Sequence, residues 1–115
     1  IGVRLVGSEM CIRDSHDVFG DGTVVIKSMP GHTPGHQVLY LQLAETGPVL
    51  LSGDMYHFNE NRQDGIIPRF NHDIPQSEQS IKAFEAFAKE TGAVVYIQHE
   101  PLDFAKMPKA PNALK

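Results

Sequence analysis

The chain has 115 residues, of which 41% are hydrophobic and 21% are charged, and this balance is typical of one globular domain or part of one. A formal net charge of −4, without a cluster of lysine and arginine, excludes nucleic acid as an expected partner. Cys11 is the single cysteine, so no disulfide framework is expected, and the longest apolar runs fall well short of the about 20 residues that cross a bilayer. We predict a cytoplasmic protein without a membrane partner.

The beginning of the chain differs in character from the rest. Within Ile1–Ser15, the run VGSEMCIRDS has neither strand alternation nor an amphipathic stripe, and it resembles a translated sequencing-adapter tract. We predict that residues 1–15 are a non-native leader and that residues 16–115 form the domain. A short native strand at Gly2–Val6 stays open as the alternative.

Three strands are predicted in the first half of the domain. Thr23–Ser28 is rich in β-branched residues and follows a Gly-Asp-Gly turn signal. Val38–Leu43 and Val49–Ser52 are apolar and separated by a short turn, which predicts a hairpin. His36 precedes the first strand of this hairpin and Asp54 follows the second. Antiparallel pairing should therefore bring these two side chains to the same end of the sheet.

The second half predicts a loop, a helix and a strand. Polar and aromatic residues alternate irregularly over residues 55–74. This pattern predicts a loop over the mouth of a site. A helix is expected over Gln76–Thr91, capped by Asp73 or Ser77 and closed by Gly92. Its apolar face should pack on the sheet and consists of Ile81, Phe84, Phe87 and Ala88.

A last strand is predicted at Ala93–Ile97, because the segment is apolar almost throughout. It leads directly to His99. The tail contains Pro101, Pro108 and Pro111, so we expect at most a short helix near Leu102–Lys106.

Side chains that often bind metals lie at the ends of these strands. The run PGHTPGH ends on His36, Gly53-Asp54 follows the hairpin, and Gln98-His99-Glu100 follows the last strand. Imidazole and carboxylate together suit zinc or a similar first-row divalent ion. Each residue also has a simpler interpretation, in which the histidine run is a tight turn, Asp54 a strand-end carboxylate and His99 a boundary histidine.

At these residues, from about His16 to the end, the chain resembles the metallo-β-lactamase superfamily, and within it the N-acyl-homoserine-lactonase-like metallo-hydrolases. The resemblance implies an α/β fold, the C-terminal half of an αββα sandwich with mixed or antiparallel strands and one main helix. It also implies two zinc ions, or another first-row metal, with His36 on one ion, Asp54 bridging both and His99 on the second. The family's upstream His-x-His-x-Asp-His motif does not occur in the sequence, so we expect a C-terminal fragment.

Several neighbouring residues are further candidates. Lactonases of this family often have a tyrosine three positions after the bridging aspartate, where this chain has His57, while Tyr56 lies two positions after it. Either residue is a candidate for a catalytic contact with substrate; alternatively, Tyr56 packs inward and His57 faces solvent. His32 is expected to form hydrogen bonds behind the ligands or to pack. An apolar substrate pocket, or simply the core, is predicted to involve Phe58, Ile66, Ile67 and Phe70.

The resemblance implies hydrolysis by a metal-bound hydroxide that attacks a carbonyl carbon. The expected partner is a small-molecule ester, first of all a lactone, then a thioester as in glyoxalase II, or a β-lactam. A non-catalytic structural module of the same fold is the alternative from another class. With only part of the ligand set, this fragment should be inactive alone and bind metal weakly. The oligomeric state is not predicted.

Overall fold

The computed structural model describes residues 15–67 and 71–115 of the chain. In these ranges five strands form one sheet, and their spatial order is the same as their order in the sequence. They are β1 (Ser15–Asp17), β2 (Val24–Ser28), β3 (Gln37–Leu43), β4 (Gly47–Leu51) and β5 (Val94–Tyr96). Strands β1 to β4 pair antiparallel, whereas β5 pairs parallel to β4, so the sheet is mixed.

The first strand of the sheet includes the last residue of the predicted leader. Ser15, which we assigned to the leader, pairs with Lys27 of β2. Cys11, the rest of the leader and the alternative strand at Gly2–Val6 lie outside the described residues. The non-native origin of the leader therefore stays a prediction.

Three helices follow among the described residues, α1 (Asn59–Asp64), α2 (Ile74–Thr91) and α3 (Pro101–Lys106). The long helix α2 has the predicted ends: the Asp73 side chain accepts a hydrogen bond from the Gln76 amide at 2.9 Å, and Gly92 closes the helix with a φ of 69°. The main helix, the hairpin, the last strand and the short tail helix are thus confirmed. None of the helices in these ranges combines the length and apolar character of a membrane span.

The prediction of a loop over residues 55–74 was wrong at α1. This helix begins where the Asn61 side chain accepts a hydrogen bond from the Phe58 amide at 3.1 Å, and it ends at Gly65. It contains no buried residue, so no apolar stripe revealed it in the sequence. Phe70, proposed for a substrate pocket, lies outside the described residues.

The core lies between α2 and one face of the sheet. Phe84 is fully buried, and Phe87 packs edge-on against Tyr40 with 5.0 Å between ring centroids. The predicted apolar face of α2 therefore does pack on the sheet. The buried cluster consists of Met29, Val38, Tyr40, Leu50, Met55, Tyr56, Phe84, Ala88 and Ile97.

The opposite face of the sheet carries a second apolar surface. Ile26, Leu39, Leu51 and Tyr96 are neighbours across four strands and form a row of half-buried side chains. Together with Phe104 and Met107, this row lines an open cavity of ≈ 540 Å³. The cavity reaches Gly53 and Gln98, and therefore lies next to the strand ends that lead to Asp54 and His99.

Candidate metal centre

The His36 ring connects two strand ends. Its Nδ1 lies 3.0 Å from the carbonyl oxygen of Met29, and its Nε2 accepts a hydrogen bond from the Asp54 amide at 2.9 Å. The carbonyl contact places the proton on Nδ1, because a carbonyl oxygen only accepts. Burial lowers the pKa of His36 below its ordinary value, although the Met29 carbonyl opposes this. The expectation that His36 and Asp54 lie close together is confirmed.

Gly53 makes this approach possible. A Cβ atom at this position would lie 2.9 Å from His36 Nε2, closer than side chains normally approach, and its φ of +58° also favours glycine. The glycine thus lets the imidazole lie directly against the backbone that carries Asp54.

Two more histidines flank the Asp54 carboxylate. His99 Nε2 lies 2.9 Å from Oδ1, and His32 Nε2 lies 3.4 Å from Oδ2. His99 reaches this place because β5 runs parallel to β4, so that the carboxyl ends of both strands meet. The Asp54 side chain keeps 35% of its surface exposed. Imidazoles from two separate loops, with His32 and His36 in the β2–β3 loop and His99 after β5, therefore meet one aspartate that is still open to solvent.

Tyr56 and His57 lie on different sides of this cluster. Tyr56 is only 1% exposed and packs edge-on against Phe84, with 5.9 Å between ring centroids. The His57 ring lies nearly parallel to that of His99, at 5.3 Å and 14°. The structure thus supports inward packing of Tyr56, whereas His57 lies beside the metal-ligand candidates and is half-buried.

Of the other residues suggested for a substrate pocket, Phe58 and Ile66 lie at the surface and Ile67 is half-buried. Phe58 is 45% exposed and Ile66 is 53% exposed. Neither of them lines the cavity on the open face of the sheet. That cavity is lined instead by residues of the strands and of the tail.

Sequence comparison relates the chain to curated proteins. No family model matches it. It is 32% identical to the N-acyl homoserine lactonase AttM of Azorhizobium caulinodans over 101 aligned residues. The alignment covers 88% of this chain and 38% of that protein. AttM of Agrobacterium fabrum is 32% identical over 99 residues, and AiiA of Bacillus thuringiensis subsp. kurstaki is 32% identical over 71 residues. The chain is homologous to part of the N-acyl homoserine lactonases. It spans 38% of the length of the AttM proteins that it matches.

Solved structures show the same relationship. An N-acyl homoserine lactone hydrolase with N-hexanoyl-L-homoserine at its catalytic metal center superposes with a TM-score of 0.77 and 26% identity, over 87% of this chain and 39% of that one. AidC, a dizinc quorum-quenching lactonase, matches with a TM-score of 0.60 at 20% identity, which shows the fold alone. The predicted fold class, part of a metallo-β-lactamase-like α/β sandwich, is confirmed.

The donor atoms of this lactonase homologue have the chemistry that a divalent metal requires. Imidazole nitrogens and a carboxylate are typical ligands of zinc. In residues 15–67 and 71–115, however, no group of three or more His, Cys, Asp or Glu side chains is arranged to hold an ion. His36 turns its Nε2 to the amide of Asp54 and not to its carboxylate. The types of donor atom fit a zinc site. A complete coordination shell would require that His36 turns away from the Asp54 amide or that further donors join the site.

Behind the site, a partly buried network of hydrogen bonds holds the segment after Asp54. The Tyr56 hydroxyl donates to Glu85 Oε2 at 2.5 Å, and Arg62 donates to both carboxylate oxygens of Glu85 at 2.9 Å. Burial and the Glu85 carboxylate raise the pKa of Tyr56 far above its ordinary value. Burial would raise the pKa of Glu85 as well, but hydrogen bonds from Arg62 and Tyr56 outweigh it and hold that pKa below its usual range. Glu85 thereby ties α1 and the segment after Asp54 to α2.

Replacing Glu85 with glutamine should lower stability in a pH-dependent way. A carboxylate with a lowered pKa in the folded state stabilises fully above its unfolded pKa, which is near 4.5, and this contribution is lost as pH falls through the lower folded value. The urea midpoints of wild type and Glu85→Gln should differ most near neutral pH and converge below about pH 4. Glu90→Gln, an exposed change on the same helix, is the control. A constant difference across this range would contradict the linkage.

The sequence analysis missed two acidic residues that hold the His99 loop. Glu100 is 6% exposed and accepts hydrogen bonds from the amides of Asn59 at 2.8 Å and Leu102 at 3.2 Å. Asp103 accepts from the Ile97 amide at 2.7 Å. The Glu-Pro pair at the start of α3 was a signal for the cap by Glu100. Its contact with Asn59 joins the Asp54 and His99 segments, and no local pattern predicts it.

Proposed function

We propose that the protein to which this chain belongs is a metal-dependent hydrolase that opens a lactone ring. The observation that carries the proposal is the convergence on Asp54 of two histidines from the β2–β3 loop, His32 and His36, and of His99 from a loop far away in sequence. The homologous AttM and AiiA proteins are N-acyl homoserine lactonases, which supports a lactone as the substrate class.

In this proposal His36, Asp54 and His99 contribute the chain's ligands to two zinc ions. A divalent ion held there would supply Lewis acidity toward an ester carbonyl and a source of hydroxide near neutral pH. Of the two Asp54 carboxylate oxygens, one has His99 beside it and the other has His32. The N-acyl homoserine lactone hydrolase with product bound at its catalytic metal center supports a metal at this site.

Among the two candidates for substrate contact, His57 is the better placed. Its ring lies against that of His99, so a substrate held at the ligand cluster would lie within its reach. An imidazole at that position is suited to hold a proton for the departing alkoxide. Tyr56 instead is buried and donates a hydrogen bond from its hydroxyl to Glu85, which supports the backbone that carries Asp54 and His57. We further propose a cytoplasmic location.

Removal of metal tests the proposal directly. Treatment of the protein that contains this chain with a chelator should abolish hydrolysis of N-hexanoyl-homoserine lactone, and added zinc should restore it. Metal content per chain is measured alongside, and a small thioester is offered as a second substrate. Faster turnover of the thioester than of the lactone would favour a thioester hydrolase. A protein that binds no metal and cleaves neither substrate would favour a structural module.

A further inference from the structure

The Glu100 carboxylate lies at the beginning of two helices. Its Oε1 accepts a hydrogen bond from the Asn59 amide at 2.8 Å, and its Oε2 accepts one from the Leu102 amide at 3.2 Å. Asn59 is the first residue of α1, and Leu102 lies in the first turn of α3. The first amides of a helix have no acceptor within the helix and need one from outside. One side chain meets this need for both helices, and we call its two hydrogen bonds the Glu100 bridge.

The surroundings of the Glu100 bridge make it costly to break. Glu100 is only 6% exposed, so water has little access to its carboxylate. Phe58, the N-cap residue of α1, has no side-chain oxygen that could accept from the Asn59 amide instead. A buried carboxylate that loses a partner keeps the cost of its desolvation without the compensating hydrogen bond. The Glu100 bridge is therefore a persistent link between the two helix ends.

The Glu100 bridge closes a small ring of contacts beside the candidate metal centre. Glu100 directly follows His99, and Asn59 lies two positions after His57. The rings of His57 and His99 lie 5.3 Å apart and are nearly parallel. Since so little backbone separates each histidine from the bridge, a shift of Asn59 relative to Glu100 also shifts one ring relative to the other.

Helix α1 depends on such polar links for its position. It contains no buried residue, so apolar packing contributes little to where it lies. Glu100 binds the amide of its first residue, and Glu85 of α2 binds Arg62 in its last turn through both carboxylate oxygens. Two carboxylates from separate elements thus hold the two ends of α1.

We propose that Glu100 is a positioning residue, which fixes the distance between the rings of His57 and His99 by capping α1 and α3 together. The importance of this distance for hydrolysis rests on the proposed function, in which His99 binds metal and His57 holds a proton for the departing alkoxide. The distance itself is a property of the chain. A displacement of about 1 Å in such a group can cost about 100-fold in rate.

Asn59→Pro removes the Glu100 bridge from the side of α1. Proline has no amide proton, and the first position of a helix tolerates it. The extended backbone of Phe58, with a φ of −139° and a ψ of 167°, suits the residue before a proline. Asn59→Ala keeps the amide and is the matched control. In the metal-free protein that contains this chain, Asn59→Pro and Glu100→Ala should lose the nuclear Overhauser contacts between the His57 and His99 rings, and Asn59→Ala should keep them.

Turnover shows whether Glu100 acts through His57. Glu100→Ala should lower kcat for the lactone by about 10- to 100-fold with little change in KM, because the proton is needed only in the transition state. In a His57→Ala background the same substitution should lower kcat much less, since the group that Glu100 positions is already missing.

A variant at the other end of β5 separates positioning from folding. Gly92 precedes β5 and has a φ of +69°, so Gly92→Ala lowers stability through backbone strain and should keep the ring contacts. Loss of these contacts in Gly92→Ala, wild-type contacts in Asn59→Pro, or equal losses of kcat with and without His57 would each overturn the proposal. If the wild type neither binds metal nor cleaves the lactone, the proposed function fails, and the ring contacts alone then decide the role of Glu100.

Discussion

An Asp54→Asn variant of the protein that contains this chain should lose bound metal and lactone hydrolysis together. The amide has the same shape as the carboxylate but lacks its negative charge, and one of its two terminal atoms is a nitrogen that cannot ligate a cation. We expect turnover to fall by at least about 100-fold, the upper end of what the loss of an outer partner costs. Metal content per chain and initial rates at saturating lactone are the measurements.

Asp64→Asn is the matched control for this variant. It makes the same chemical change at an exposed residue of α1. The control should keep wild-type metal content and turnover. Hydrolysis that is equally fast in Asp54→Asn and in wild type would remove Asp54 from the metal ligands, and a structural module would become the better account of the fold.

Gly31→Ala should destabilise the histidine loop strongly. A Cβ atom at Gly31 would lie 2.5 Å from the Ser77 Cα and 2.6 Å from its amide nitrogen, so backbone would have to move. The φ of +142° adds strain for any residue with a side chain. From left-handed strain and overpacking together we expect a loss of about 3 to 5 kcal/mol in the free energy of unfolding, measured by urea denaturation.

Gly20→Ala is the control that separates backbone strain from overpacking in the loss of stability expected for Gly31→Ala. Gly20 has a φ of +78°, but nothing lies within 4 Å of the position that its Cβ would take. The control should lose only about 1 to 2 kcal/mol, the cost of left-handed backbone for an L-residue. Equal losses at the two positions would show that the packing of Gly31 against Ser77 does not matter. A folded Gly31→Ala protein should also bind zinc more weakly, because His32 follows the displaced residue.

Much of the fold was predictable because its signals are local. The apolar strands β3 and β4 and the turn between them defined a hairpin, and this placed His36 and Asp54 at one end of the sheet. Asp73 and Gly92 marked the two ends of α2 through cap chemistry that depends on a few neighbouring residues. By contrast, α1 buries no side chain, so it left no periodic pattern to recognise.

The sequence by itself determined which residue types lie at the strand ends, and therefore the chemistry available to a metal site at Asp54. Only the tertiary structure decided which partners those side chains meet. It placed the buried Tyr56 against Glu85, His57 against His99, and His32 between Asp54 and Asn71. The physical reason is that hydrogen-bond and ring contacts depend on angles and distances set by packing between distant segments, whereas strand, turn and cap signals arise within a few residues.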